Sequence, residues 1–76
     1  MNSELDGHIL TVLKTRPSTM TYVIANRLRY DHKKYNGTLK TSRVLRRLKA
    51  LERAEKVRRV PSVYAVQLCW SLQPNV

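Results

Sequence analysis

The sequence has one cysteine, no long apolar run and few acidic residues, and each scarcity excludes a class of protein. Cys69 is the single cysteine, so an internal disulfide is impossible and a reducing cytoplasm is the expected compartment. No stretch approaches the roughly 18 apolar residues of a membrane span. The acidic, polar start MNSELDGHIL has no basic flank of a secretory signal. We therefore expect a protein that is neither secreted nor embedded in a membrane.

Acidic residues are so few that the chain is strongly basic. Five Asp and Glu stand against 15 Lys and Arg, a formal net charge of +10. Such a surface favours polyanions, of which nucleic acid is the commonest. The acids form no carboxylate pair, and the sequence shows no nucleophile with its base and no phosphate-binding glycine loop. We expect no enzyme, no cofactor and no small-molecule effector.

The length and the spread of apolar residues predict one small folded domain. Its 76 residues can build a single small core, and 42% of them are hydrophobic. We assign the domain to residues 3–72 and a flexible tail to 73–76. His8 and His32 are isolated in the sequence, and we expect no metal site there.

Two helices are predicted before residue 30. Ser3 is the expected N-cap of the first, which Pro17 ends. Thr19 or Thr21 is the expected cap of the second, over 21–29. Apolar residues at i, i+3 and i+4 spacing predict the buried face of each helix. In the first helix these are Leu5, Ile9, Val12 and Leu13. In the second they are Met20, Val23, Ile24 and Leu28.

A basic loop and a third helix follow. The polar and basic composition of residues 30–40 predicts a loop, with a turn at Asn36-Gly37 and a brief strand at 38–39. The third helix is predicted over 41–56, capped by the hydroxyl of Thr41 or Ser42. Its apolar stripe is Val44, Leu48 and Leu51, widened by Leu45, and its opposite cationic side is Arg43, Arg46, Lys49 and Arg53, with Arg47 at the border.

The pattern then changes to a period of two, which predicts a β-hairpin. The strands are expected at 57–60 and 66–72, with the tip at 61–64. Alternation places Arg58 and Arg59 on opposite faces of the strand. We therefore expect at most one of the two to contact a ligand directly. Trp70 is predicted as a core anchor, and Cys69 lies on the other side of its strand.

This order of elements resembles the winged helix-turn-helix family of small bacterial or phage transcriptional regulators. The residues that carry the resemblance are YVIANRL at 22–28, TSRVLRRLKALE at 41–52, VRRV at 57–60 and LCWSL at 68–72. It implies an α+β fold, a three-helix bundle with a C-terminal β-hairpin wing. It also implies sequence-specific binding of double-stranded DNA, with helix 41–56 in the major groove, and association with the nucleoid.

Within that resemblance each basic residue has an expected role. The base-reading residues are Thr41, Ser42, Arg43, Arg46 and Arg47. The residues expected on the DNA backbone are Lys40, Lys49, Arg53, Arg58, Arg59, Lys33 and Lys34. One reading helix covers few base pairs, so tight binding would need a homodimer or a regulatory protein partner, with Val63 and Val76 as candidate contacts.

The chain departs from the family in three places. The loop before the third helix is longer than the usual tight turn, which leaves the presentation angle of that helix open. Glu55 stands where relatives carry glycine, so we expect the helix to end beyond it. The tip at 61–64 is uncharged, which disfavours a minor-groove grip. A module that binds an acidic protein partner is the alternative function, and double-stranded RNA is a third possible target.

Overall fold

Three helices and a small antiparallel sheet form the fold, in a computed structural model that describes residues 2–60 and 69–73. The α+β class predicted from the sequence is thus confirmed. The predicted hairpin tip at 61–64, the strand residues 66–68 and the tail residues 74–76 lie outside the described residues. The elements are α1 (Asn2–Thr15), β1 (Thr19–Met20), α2 (Thr21–Asp31), a 3₁₀ turn (Lys33–Tyr35), α3 (Thr41–Arg53), β2 (Val57–Val60) and β3 (Cys69–Leu72).

The sheet has the strand order β1-β3-β2, with both pairings antiparallel. Trp70 of the central strand lies opposite Thr19 on one side and Arg59 on the other. The sequence did not predict β1, because two residues are too few to show alternation. The brief strand expected at 38–39 is wrong, since both amides donate to the Tyr35 carbonyl in a local turn.

The core lies between the helices and one face of the sheet. Trp70 is fully buried, and its indole Nε1 donates to the Thr21 hydroxyl at 2.8 Å, which confirms it as the core anchor. The predicted α1 face is buried in full. Of the predicted α2 face, Ile24 and Leu28 are buried, whereas Met20 and Val23 are partly exposed. The core residues are Leu5, Ile9, Val12, Leu13, Ile24, Ala25, Leu28, Tyr35, Leu39, Val44, Leu48, Leu51, Val57 and Trp70.

The predicted helix caps are wrong at all three starts. Helix α1 already includes Asn2, so Ser3 lies inside it. Met20 and Lys40 occupy the N-cap positions of α2 and α3, and neither makes a side-chain cap hydrogen bond. The Thr19 hydroxyl donates instead to the carbonyl of Arg16. Hydroxyls beside a helix start are only local candidates for a cap, and tertiary partners compete for them.

Helix α3 ends at Arg53, earlier than the predicted residue 56. Glu55 has φ of +61° and follows the helix in the left-handed region, where glycine was expected to be needed. The amide of Lys56 donates to the Leu51 carbonyl at 2.9 Å, and that of Glu55 to the Glu52 carbonyl at 3.0 Å. This is the Schellman pattern of helix endings. The backbone bonds and the fully buried Val57 that follows outweigh the strain of a non-glycine residue.

Candidate nucleic-acid interface

Helix α3 has a buried face and an outward face. Val44, Leu48 and Leu51 point into the core, as predicted. The other side carries the exposed residues Ser42, Arg43, Arg46, Lys49 and Arg53. We call these five residues the outward face of α3. Four of the five are cationic, so the helix presents a concentrated positive surface over three turns.

The acidic residues are paired elsewhere. Four of the five carboxylates accept an ion pair, and each partner lies off the outward face. Within the described residues, no carboxylate lies within ion-pair distance of a cation on that face. The pairs are Glu4 with Lys34, Asp6 with Arg47, Asp31 with Arg27 and Glu52 with Arg59.

Arg47 is engaged inside the fold, although the sequence predicted it as a base reader. Its Nε and Nη2 donate to the two carboxylate oxygens of Asp6 in α1, both at 2.9 Å. The two side chains are only 23% and 18% exposed. The hydrogen bond to Asp6 raises the pKa of the Arg47 guanidinium. A bidentate pair of this geometry joins α3 to α1, so the Arg47 guanidinium already has its partner within the fold.

An ion pair also lies at the other border of α3, on the side of the outward face away from Arg47. Glu52 accepts from Arg59 of β2, with Oε2 at 3.0 Å from the Arg59 Nε. The Arg59 guanidinium lies 5.4 Å from the Trp70 ring centroid. Arg59 therefore has two partners within the fold. Arg58, opposite Ser71 in the sheet, is exposed, and it is the member of the pair that is available to a phosphate.

The start of α3 is tied to α2 by Arg29. Its Nε donates to the Leu39 carbonyl at 2.9 Å and its Nη2 to the Thr41 hydroxyl at 3.1 Å. Its Nη1 donates to the Asn26 side-chain oxygen at 2.8 Å. Thr41, a predicted reader, is thereby half-buried and used as an acceptor. Arg29 could not be predicted as a functional residue, since the sequence around an arginine at the end of a helix does not indicate what its side chain will contact.

A cluster of three rings packs between α1 and the 3₁₀ turn. His8 and His32, which are far apart in the sequence, stack with ring centroids 4.0 Å apart. His8 Nδ1 and the Tyr35 hydroxyl share a hydrogen bond of 2.9 Å. Burial, and then the neighbouring His32, lowers the pKa of His8. Burial raises the pKa of Tyr35 against the opposing effect of the Arg43 charge.

The remaining predicted residues divide between α3 and the 3₁₀ turn. Lys40 is exposed at the N-cap of α3. Lys33 is exposed in the turn, whereas Lys34 is paired with Glu4. Exposed Lys56, just beyond α3, adds a cation that the sequence analysis did not assign. Within residues 2–60 and 69–73, no three His, Cys, Asp or Glu side chains are grouped to hold a metal ion.

Two further findings bear on the class of protein. No helix among the described residues is long and apolar enough to cross a membrane. Comparison with family models, with curated proteins and with solved structures found no match to this chain. The functional interpretation therefore depends on the arrangement of the cationic and acidic side chains described above.

Proposed function

We propose that this chain is a winged helix-turn-helix protein that binds double-stranded DNA and acts as a small transcriptional regulator. The order of its elements supports the proposal: two helices, α2 and α3, precede a strand pair, and β3 lies centrally in a sheet completed by β1. In that fold α3 is the helix that enters the major groove.

One observation carries the proposal: the outward face of α3 is cationic and has no acidic partner among the described residues. Acidic residues are scarce, yet four of them neutralise cations at other positions. A helix about 10 Å wide fits the major groove of B-DNA, so that this face would meet base edges and phosphates together.

The roles within the face follow from position and chemistry. Ser42, Arg43 and Arg46 lie in the N-terminal half of α3, which is the part that reaches base edges in a helix-turn-helix. Arginine can bond bidentately to guanine O6 and N7. The residues assigned to phosphates are the exposed cations just before α3, in its C-terminal half, just beyond it and in β2, namely Lys40, Lys49, Arg53, Lys56 and Arg58.

Selection of bound duplexes from a random DNA pool tests this function. We expect a shared motif of a few base pairs, which Arg46→Ala weakens or loses. Arg27→Ala is the matched control, because Arg27 is an exposed arginine of α2 paired within its own helix. Recovery of no motif, with tighter binding to an acidic polypeptide than to any duplex, would overturn the proposal in favour of a protein partner. Equal or better affinity for an RNA duplex would redirect it to RNA.

A further inference from the structure

We infer that Arg29 is a positioning residue that sets the sequence specificity of α3 without contacting DNA, an inference that rests on the proposed function. The connection between α2 and α3 runs from residue 32 to residue 40, too long to hold a helix at a defined angle by its length alone. A reading helix must keep its side chains within about half an ångström of the productive geometry. Something other than the loop length must therefore fix the start of α3.

Arg29 has the contacts to do so. From the last turn of α2, its guanidinium donates forward to the Leu39 carbonyl, in the loop, and to the Thr41 hydroxyl, the first residue of α3. The third donor goes back to Asn26 and holds the guanidinium on α2. These three bonds join one helix, the end of the loop and the start of the next helix through a single planar group.

The chemistry requires an arginine. Five N–H donors in a rigid plane can serve three acceptors at once, whereas the lysine ammonium is a flexible point charge that cannot reproduce the same set. Leu39 is also buried, which anchors the loop at the residue where Arg29 holds its carbonyl. Arg29 and the buried Leu39 side chain thus fix the same point from two sides.

The other cations of the interface do not share this arrangement. Arg43 and Arg46 are exposed and directed outward, where a ligand can reach them. Arg29 is only partly exposed, and three of its nitrogen atoms are engaged within the fold. Its effect on DNA is therefore exerted through the position of α3. Loss of Arg29 should weaken recognition of the preferred sequence and leave non-specific affinity for phosphates largely intact.

The experiment compares Arg29→Lys with Arg27→Lys in the full chain. Affinity is measured for the selected duplex and for an unrelated duplex over a salt series. For Arg29→Lys we expect about a tenfold loss on the selected duplex, less than about a twofold change on the unrelated one, and an unchanged salt slope. For Arg27→Lys we expect no change in the ratio of the two affinities. Equal loss on both duplexes would make Arg29 a direct contact to the DNA backbone and overturn the inference.

Hydrogen exchange without DNA tests the same contact independently. Arg29→Lys and Thr41→Val should both speed amide exchange at the start of α3, at residues 43–45, whereas Thr41→Ser, which retains the hydroxyl, should not. Unchanged exchange in both variants would refute the positioning role. If the wild-type protein binds no duplex, the proposed function fails, and the exchange result still decides whether Arg29 holds α3.

Discussion

Arginine side chains lie both on the outward face of α3 and at its two borders, but only those at the borders have a carboxylate partner among the described residues. At the borders, Arg47 pairs with Asp6 of α1, and Glu52 pairs with Arg59 of β2. On the outward face, Arg43 and Arg46 have no carboxylate partner among the described residues. Two of the few acids thus hold α3 at its edges, and its exposed surface remains positive. We propose that the cations without an internal partner are the ones available for binding.

Arg46→Ala should produce the largest loss of binding. Removing an outward guanidinium should cost about 1 to 3 kcal/mol on the selected duplex and relax its sequence preference, because one bidentate base contact disappears. Fluorescence anisotropy with the selected and an unrelated duplex measures both effects. Arg59→Ala, at the border, is the matched variant, and a larger loss of specificity there would reverse the assignment of face and border.

Asp6→Asn should separate stability from binding. It breaks the partly buried pair with Arg47 and leaves that guanidinium without its bidentate partner, so the Tm should fall. The fall should exceed that of Asp31→Asn, whose pair with Arg27 is exposed and lies within a single helix. Affinity of the folded protein for an unrelated duplex should not decrease, because the net charge rises. Calorimetry and anisotropy on the same samples check both statements, and equal Tm values for the two variants would contradict the structural role of Arg47.

Glu55→Gly should stabilise the protein by about 1 kcal/mol. Glu55 adopts φ of +61°, which glycine reaches without the clash of a Cβ atom. Glu55→Ala keeps the strain and removes the same carboxylate, so it should give no gain. Urea unfolding followed by Trp70 fluorescence provides the comparison. A gain shared by both variants would assign the effect to charge rather than to the backbone.

Acidification should destabilise the fold through the stacked histidines. The pKa of His8 is lowered in the folded state, so the unfolded chain binds more protons once the pH falls through the ordinary value of 6.5. Stability should be highest above the ordinary histidine value and fall as the pH drops below it, because protonation of the partly buried His8 is disfavoured in the folded state. Thermal melts over this range should show the fall in wild type and a shallower one in His8→Gln. A steeper fall in His8→Gln would contradict the account.

Lys33→Ala should have the smallest effect. Lys33 is exposed in the 3₁₀ turn and lies outside α3, so we expect it to be at most a phosphate contact. The variant should weaken all duplexes slightly and equally, with a reduction of the salt slope of about 0.9 or less. A change in sequence preference would place Lys33 among the readers.

The sequence predicted what depends on local periodicity. The apolar stripe Val44, Leu48 and Leu51 lies inward, and the cationic residues opposite are exposed, since a 3.6-residue period determines both faces of a helix. Burial of Trp70 likewise followed from alternation along its strand.

Contacts between distant residues could not be predicted in the same way. Asp6 meets Arg47 across 41 residues, and His8 meets Tyr35 across 27. Local spacing carries no information about which of 15 cations each acid will select. The end of α3 at Arg53, followed by Glu55 in the left-handed region, was missed for a related reason, because tertiary burial of Val57 overrides the local preference for glycine.

The central claim, that the outward face of α3 binds duplex DNA, is tested most directly by titrating a labelled duplex with the wild-type protein over a potassium chloride series. With roughly five phosphate contacts, the logarithm of the binding constant should fall linearly with the logarithm of salt concentration, at a slope of about −4 to −5. Absence of binding to any duplex at low salt would contradict the claim.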